Sequence, residues 1–198
     1  MNKLANSTFY ILLLGCIVFT ITGCDRNYTP KPTGYLRIDL PENAYVKFDT
    51  TFPFSFEYSK FAIIEHDKYS PNEPYWINIV YPKFKGRIHL SYKLVNHNLP
   101  QYLEDAHNLV IKHIAKSNGI EQQLITDRQN NIYGLTYNIK GAEAASSYQF
   151  WVTDSTKNFL RGALYFSVTP NNDSLEPVIK FIKKDIVHLI KTFRWKKI

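Results

Sequence analysis

Apolar and polar positions alternate most cleanly over Lys85 to Leu94. Ile88, Leu90, Tyr92 and Leu94 fall on one side, and Arg87, His89, Ser91 and Lys93 on the other. A repeat of every second residue belongs to an extended chain with one buried face, so the segment is predicted as an antiparallel strand. Tyr75 to Tyr81 precedes it across Pro82, Lys83 and Phe84, which predicts a hairpin. Tyr35 to Leu40, Phe54 to Tyr58 and Phe61 to Ile64 read as shorter extended pieces. Over Leu99 to Lys116 the period becomes helical: Tyr102, Leu103, Ala106, Leu109, Val110, His113 and Ile114 form one stripe, with Asn98 and Pro100 as start and Gly119 as stop. Extended character returns at Glu121 to Thr126, Ile132 to Ile139, Tyr148 to Thr153 and Phe159 to Val168, which predicts a meander. Its turns fall at Asp127 to Asn131, Lys140 to Ser146 and Asp154 to Asn158. A second helix closes the chain, capped by Asp173 or Ser174 with Glu176 and Pro177 in its first turn. Its apolar face is Val178, Phe181, Ile182, Ile186, Leu189, Ile190 and Phe193.

Strands, a helix, more strands and a helix predict an α+β fold, a mainly antiparallel sheet flanked by two helices. Such an arrangement is similar to the helix-flanked sheets of the PsbP and Mog1 type, a likeness of architecture that carries no activity with it. Composition agrees with a folded chain: of 198 residues 44% are hydrophobic, 21% charged and 15% aromatic, enough for one sizeable core. There is no internal repeat or low-complexity tract.

The first residues do not fit that domain. Lys3 precedes an apolar run from Phe9 to Thr20, too short to span a bilayer comfortably, and Ile21-Thr22-Gly23-Cys24 ends it. Small residues directly before a cysteine resemble the bacterial lipobox, in which the thiol is acylated and the signal is cut in front of it. Leu13-Leu14-Gly15-Cys16 is a rival, but it leaves a short apolar run and no use for Ile17 to Ile21, so Cys24 is the preferred lipidation site. The organisation expected is a lipoprotein signal peptide over 1–23, a lipidated polar tether with Pro30 and Pro32 over 24–33, and a single globular domain over 34–198. The anchor ties the domain to a membrane, and no other segment is suited to span one.

Charge changes the picture little. The chain is formally +7, and the signal carries only Lys3 among its charged residues, so the mature form stays basic. Lys180, Lys183, Lys184, Lys191, Arg194, Lys196 and Lys197 crowd the last helix, and cations near a helix C-terminus are most simply a solvated face, with anionic headgroups as the alternative. Nucleic acid is set aside as a partner, because an exported lipoprotein seldom meets it.

Signals for chemistry are weak. With Cys16 in the signal and Cys24 acylated, no cysteine is left for catalysis, and the sequence lacks G-x-S-x-G, H-E-x-x-H, G-x-x-x-x-G-K and G-x-G-x-x-G. Glu104 and His107 have the spacing of one helical di-iron half-site, but such sites need a second pair and further glutamates. Glu65, His66 and Asp67 cluster ligand-type groups at a strand end, where neighbours rarely converge on one ion. His113 is a core-edge histidine of the first helix, and His89, His97 and His188 are expected to be isolated. Tyr75 and Trp76, with Tyr81 and Phe84, form either a recognition surface or, more simply, core. No catalytic residue, metal site or cofactor is expected.

Three segments carry a family resemblance: YTPKPTGYLRIDLP (28–41), PYWINIVYPKFKGRIHLSYK (74–93) and LPQYLEDAHNLVIKHI (99–114), placed after a lipobox. The chain resembles the gliding motility lipoprotein GldD family of Bacteroidota, with looser likeness as far as Trp195. That resemblance implies an accessory, non-enzymatic role in assembly or stability of the gliding and type IX secretion machinery. It also implies partners among the envelope proteins of that apparatus, and lipidation at Cys24. In such bacteria Asp-Ser/Thr followed by a small or aliphatic residue can be O-glycosylated, which marks Thr50, Ser155 and Ser174 as candidates, the last two in predicted turns. The stretch after Cys24 lacks the acidic cluster associated there with surface export, so the domain is expected to face the periplasm. Asp25 leaves the inner and outer membranes both open.

Overall fold

The structure, a computed structural model, describes residues 38–196. The signal, Cys24, the tether and the start of the expected strand at Tyr35 lie outside these. In chain order come β1 (Tyr45–Phe48), β2 (Phe54–Ser59), β3 (Ile63–His66), β4 (Ile77–Tyr81) and β5 (Gly86–Leu94). Helix α1 (Leu99–Ile111) is followed by β6 (Gly119–Asp127), β7 (Ile132–Lys140), β8 (Ser146–Thr153) and β9 (Asn158–Phe166), then helix α2 (Asn172–Thr192) and β10 (Arg194–Trp195). Seven strands form an antiparallel sheet in the order β3-β4-β5-β9-β8-β7-β6, and β1-β2-β10 form a second, three-stranded sheet.

The alternation in β5 is realised in space. Ile88, Leu90 and Tyr92 enter the main core, where they meet Phe54 and Phe56 of β2, Phe150 and Val152 of β8, and Ile182, Ile186 and Leu189 of α2. Burial of this apolar surface is the principal force holding α2 and the small sheet against the large one. The opposite face of the large sheet carries a smaller cluster, in which Val110 of α1 packs with Tyr137 and Ile139 of β7, Ala144 and Trp151. Phe150 and Trp151 are neighbours in β8 and serve different cores, as a strand covered on both faces requires.

The α+β architecture, the β4-β5 hairpin and the meander from β6 to β9 match the sequence expectations. Four points differ. The single sheet is two, because β1 and β10 both pair with β2. Ile38 to Leu40 is not a strand; Ile38 and Leu40 pack on the core as irregular chain. Helix α1 stops at Ile111, where the His113 amide bonds the Val110 carbonyl and tightens the chain towards a 3-10 turn at Ile114–Lys116. Only Ala106 and Val110 of its stripe are buried, and Gly119, at φ 141°, opens β6 instead of closing the helix. Finally α2 is capped by Asn171, whose side chain accepts the Ser174 amide, so Pro177 lies inside the helix beyond the first turn.

The basic residues of α2 are partly engaged within the fold. Lys180 pairs with Glu176 at 2.7 Å and Lys183 donates to Asn138 Oδ1 at 2.8 Å. No helix of the described residues is long and apolar enough to cross a membrane.

Candidate functional site

Among the described residues no group of three His, Cys, Asp or Glu side chains is placed to hold a metal ion. Glu104 and His107 lie on the solvent face of α1. Glu65, His66 and Asp67 diverge: Glu65 approaches Arg87 at 3.7 Å, the His66 ring lies 6.0 Å from Phe52, and Asp67 accepts the Tyr69 amide at 2.8 Å. Strand alternation is the cause, since Glu65 stands opposite Asn78 and His66 opposite Ile77, on different faces. Tyr75 and Trp76 are taken up by packing. Tyr75 meets Phe52 and Tyr92 edge-on at 5.3 and 5.5 Å, and the Trp76 indole donates to the Tyr92 carbonyl at 2.8 Å. Tyr81 and Phe84 are likewise buried.

The histidines are less isolated than the sequence implies. His188 stacks on Tyr45 at 3.6 Å and bonds Glu57 at 2.6 Å. His97 sits at φ 58° in the exposed loop before α1. On the α1 side of the large sheet His89 and His113 each lie near the Tyr165 ring, with ring separations of 5.7 and 6.4 Å.

Two polar centres lie under the surface. The first is Asp185, on the buried face of α2 and 2% exposed. Its carboxylate accepts Asn43 Nδ2 at 2.7 Å and the Tyr81 hydroxyl at 3.0 Å, so it ties the segment before β1 and the end of β4 to the helix. Burial pushes the carboxyl above its usual range, against the pull of those donors. Burial and then the Asp185 charge push the Tyr45 hydroxyl up to about 12, and Tyr81 rises for the same reasons. These shifts belong to an internal fastening and mark no solvent-facing acid or base.

The second centre surrounds Ala163 on β9. Register places Asn78, His89, Ala163 and Gln149 side by side across β4, β5, β9 and β8, and Arg161 and Tyr165 flank Ala163 along its own strand. Arg161 Nη2 donates to Gln149 Oε1 at 2.5 Å. Burial lowers the Arg161 guanidinium from its usual range and Tyr165 partly restores it. His89 is held low by burial, then Arg87 and Arg161, with Asp67 opposing; His113 is held low by burial and Arg161. Arg161 is the functional-type residue that sequence reasoning passed over, and its signal was a lone cation in the otherwise apolar run Phe159 to Tyr165.

Of the modification candidates, Thr50 is exposed before β2 and its hydroxyl accepts the Phe52 amide at 3.3 Å. Ser155 is exposed in the β8-β9 turn at φ 68°, beside a surface depression of about 660 Å³ that it lines with His97 and Lys157. Ser174 is half-buried in the first turn of α2, not in a loop. Cys24 lies outside the described residues.

Comparison with known proteins adds the following. Residues 25–195 match the family described as gliding motility lipoprotein GldD. No curated protein matches the chain. Among solved structures, the solution structure of cyanobacterial PsbP (CyanoP) from Synechocystis sp. PCC 6803 is similar at 10% identity and a TM-score of 0.43, over 81% of this chain and 98% of that one.

Proposed function

The chain belongs to the gliding motility lipoprotein GldD family, and from that premise we propose that it is a lipid-anchored accessory protein of the gliding and type IX secretion machinery. It supports assembly or stability of that machinery through contacts with its envelope proteins and catalyses no reaction. The signal covers 1–23, acylated Cys24 opens a tether over 24–33, and the domain over 34–198 faces the periplasm. The observation that carries the reading is where the family match begins: at Asp25, the residue after Cys24, continuing to Trp195. The likeness begins one residue inside the mature chain that a cut before Cys24 would leave, and the signal lies outside it, which supports this reading. The dispersal of Glu65, His66, Asp67, Glu104 and His107 also favours a surface over a reaction centre. Within this reading Ser155 and Thr50 are better placed than Ser174 for O-glycosylation, because both are exposed.

The test is purification of the tagged, acylated protein from gently solubilised envelopes, with mass spectrometry of what accompanies it and Cys24→Ala as control. Recovery of gliding and secretion components that depends on Cys24 is expected; recovery of nothing specific overturns the role. Alanine at His66, Glu104 or His107 is expected to leave gliding unchanged at normal protein levels.

A further inference from the structure

We propose that the polar cluster around Ala163 is a binding site for a small oxyanion, a carboxylate or a phosphate, held by Arg161 and Gln149 with the His89 and His113 imidazoles close by, both near Tyr165. Four observations carry it. Arg161 is a half-buried cation whose burial disfavours its charge, and no carboxylate of the described residues lies within ion-pair distance of it. Its hydrogen-bond partner, the Gln149 amide oxygen, is neutral, as is the nearby Tyr165 hydroxyl, so guanidinium donors are left over. Such a charge is expensive to bury unless an anion meets it.

Gln149 is 1% exposed, and its Nε2 has no hydrogen-bond partner. A buried amide N–H without an acceptor is rare in a folded protein, and this one extends from the side chain that Arg161 already grips. The register also sets only a methyl group, that of Ala163, between Gln149 and His89. Lastly, the nearby acids are engaged elsewhere: Glu65 approaches Arg87 and Asp67 holds the Tyr69 amide. The site therefore combines a guanidinium fork and a free amide donor, with two imidazoles nearby. Forked N–H donors are the chemistry that recognises carboxylate and phosphate. Arg161, His89, His113 and Tyr165 are half-buried, so solvent reaches the cluster, while Gln149 forms its inner wall.

The experiment uses the mature acylated protein in neutral-detergent micelles, titrated calorimetrically with sodium phosphate and, separately, sodium acetate in chloride buffer. Saturable binding of one equivalent is expected, and the arm that binds names the source. Arg161→Gln is expected to weaken it at least about tenfold, the loss of charge-assisted hydrogen bonds. Arg161→Lys keeps the charge without the fork and is expected to fall between, which preserves the test if Arg161→Gln lowers the melting temperature. Glu104→Gln is the unaffected control. In parallel the imidazole resonances of His89 and His113 are followed against pH; saturation with the anion is expected to raise both pKa values. Arg87, Arg161, Asp67 and Tyr165 also face these rings, and the shift is read as the difference between loaded and unloaded protein so that their effects cancel. Absence of binding by both anions, binding undiminished in Arg161→Gln, or imidazoles that do not respond would each overturn the proposal.

Discussion

Asp185 shows how one residue decides the behaviour of several segments. Its carboxylate is the acceptor for Asn43 and Tyr81, and a hydroxyl removed there leaves the buried charge a donor short. Tyr81→Phe is expected to cost about 1–3 kcal/mol, read as a fall of about 2–4 °C in melting temperature for each kcal/mol. The pH dependence has a definite sign. Burial raises the Asp185 pKa in the folded state, so its contribution to stability is fully present below the unfolded value, near about 4, and is lost as pH rises through the folded value. Asp49 runs the other way: hydrogen bonds from Lys196 and Lys47 lower it to about 2, so its contribution is present at neutral pH and lost only in acid. Asp49 is common to wild type and Asp185→Asn and cancels between them. Urea unfolding of the two proteins at several pH values is therefore expected to show the stability difference moving in favour of Asn as pH rises from about 4 to 7. A pH-independent difference would show that Asp185 does not titrate in that range. None of this was legible in the sequence, where Asp185 is one acid among the lysines of an amphipathic helix and its partners lie 104 and 142 positions away.

At the scale of elements, the parts that could be read were those whose pattern is local. The alternation of Ile88, Leu90 and Tyr92 fixes which face of β5 is buried, and the stripe from Val178 to Leu189 does the same for α2. β1 and β10 could not be read, because four residues at Tyr45–Phe48 and two at Arg194–Trp195 become strands only by pairing with β2. The start of α2 was misplaced for a similar reason. Asn172 Nδ2 donates to the carbonyls of Gly141 and Ala144 at 2.7 and 2.9 Å, so the helix begins where the β7-β8 loop holds it. Asn171→Ala is expected to cost about 1 kcal/mol in thermal unfolding, and Ser174→Ala, which the sequence marked as a possible cap, much less. The Ala163 cluster was half legible: His89 and His113 were picked out as residues, but only the register of β4, β5, β9 and β8 brings Asn78, Gln149 and Arg161 to them. The same register explains a glycine. Gly162 stands opposite Phe150, and a Cβ built there would lie 2.1 Å from the ring, with Phe150 itself in the core. Gly162→Ala is expected to destabilise by about 1–3 kcal/mol through overpacking, and Phe150→Leu in the same chain to recover part of the loss.

For the whole molecule, the proposed role separates anchoring from folding. Among the described residues the main core, the Asp185 fastening and the α1 cluster hold the domain together, and the proposed role asks nothing of the lipid in folding. In the proposed role the lipid instead confines the domain to the membrane, where even weak contacts with envelope partners are favoured by high local concentration. A chain in which residues 1–24 are replaced by a secretory signal that is cleaved and not acylated tests this division. Its melting temperature is expected to match that of the acylated protein, because the two cores and the Asp185 fastening are retained, while the protein leaves the membrane fraction and fails to restore gliding to a strain lacking it. Restored gliding from the released protein would remove the anchor from the mechanism and leave the surface of the domain to account for the function. A lowered melting temperature with gliding lost would make the anchored segment part of the fold. Loss of gliding alone, in a protein that melts normally, is the outcome that a tethered contact domain requires.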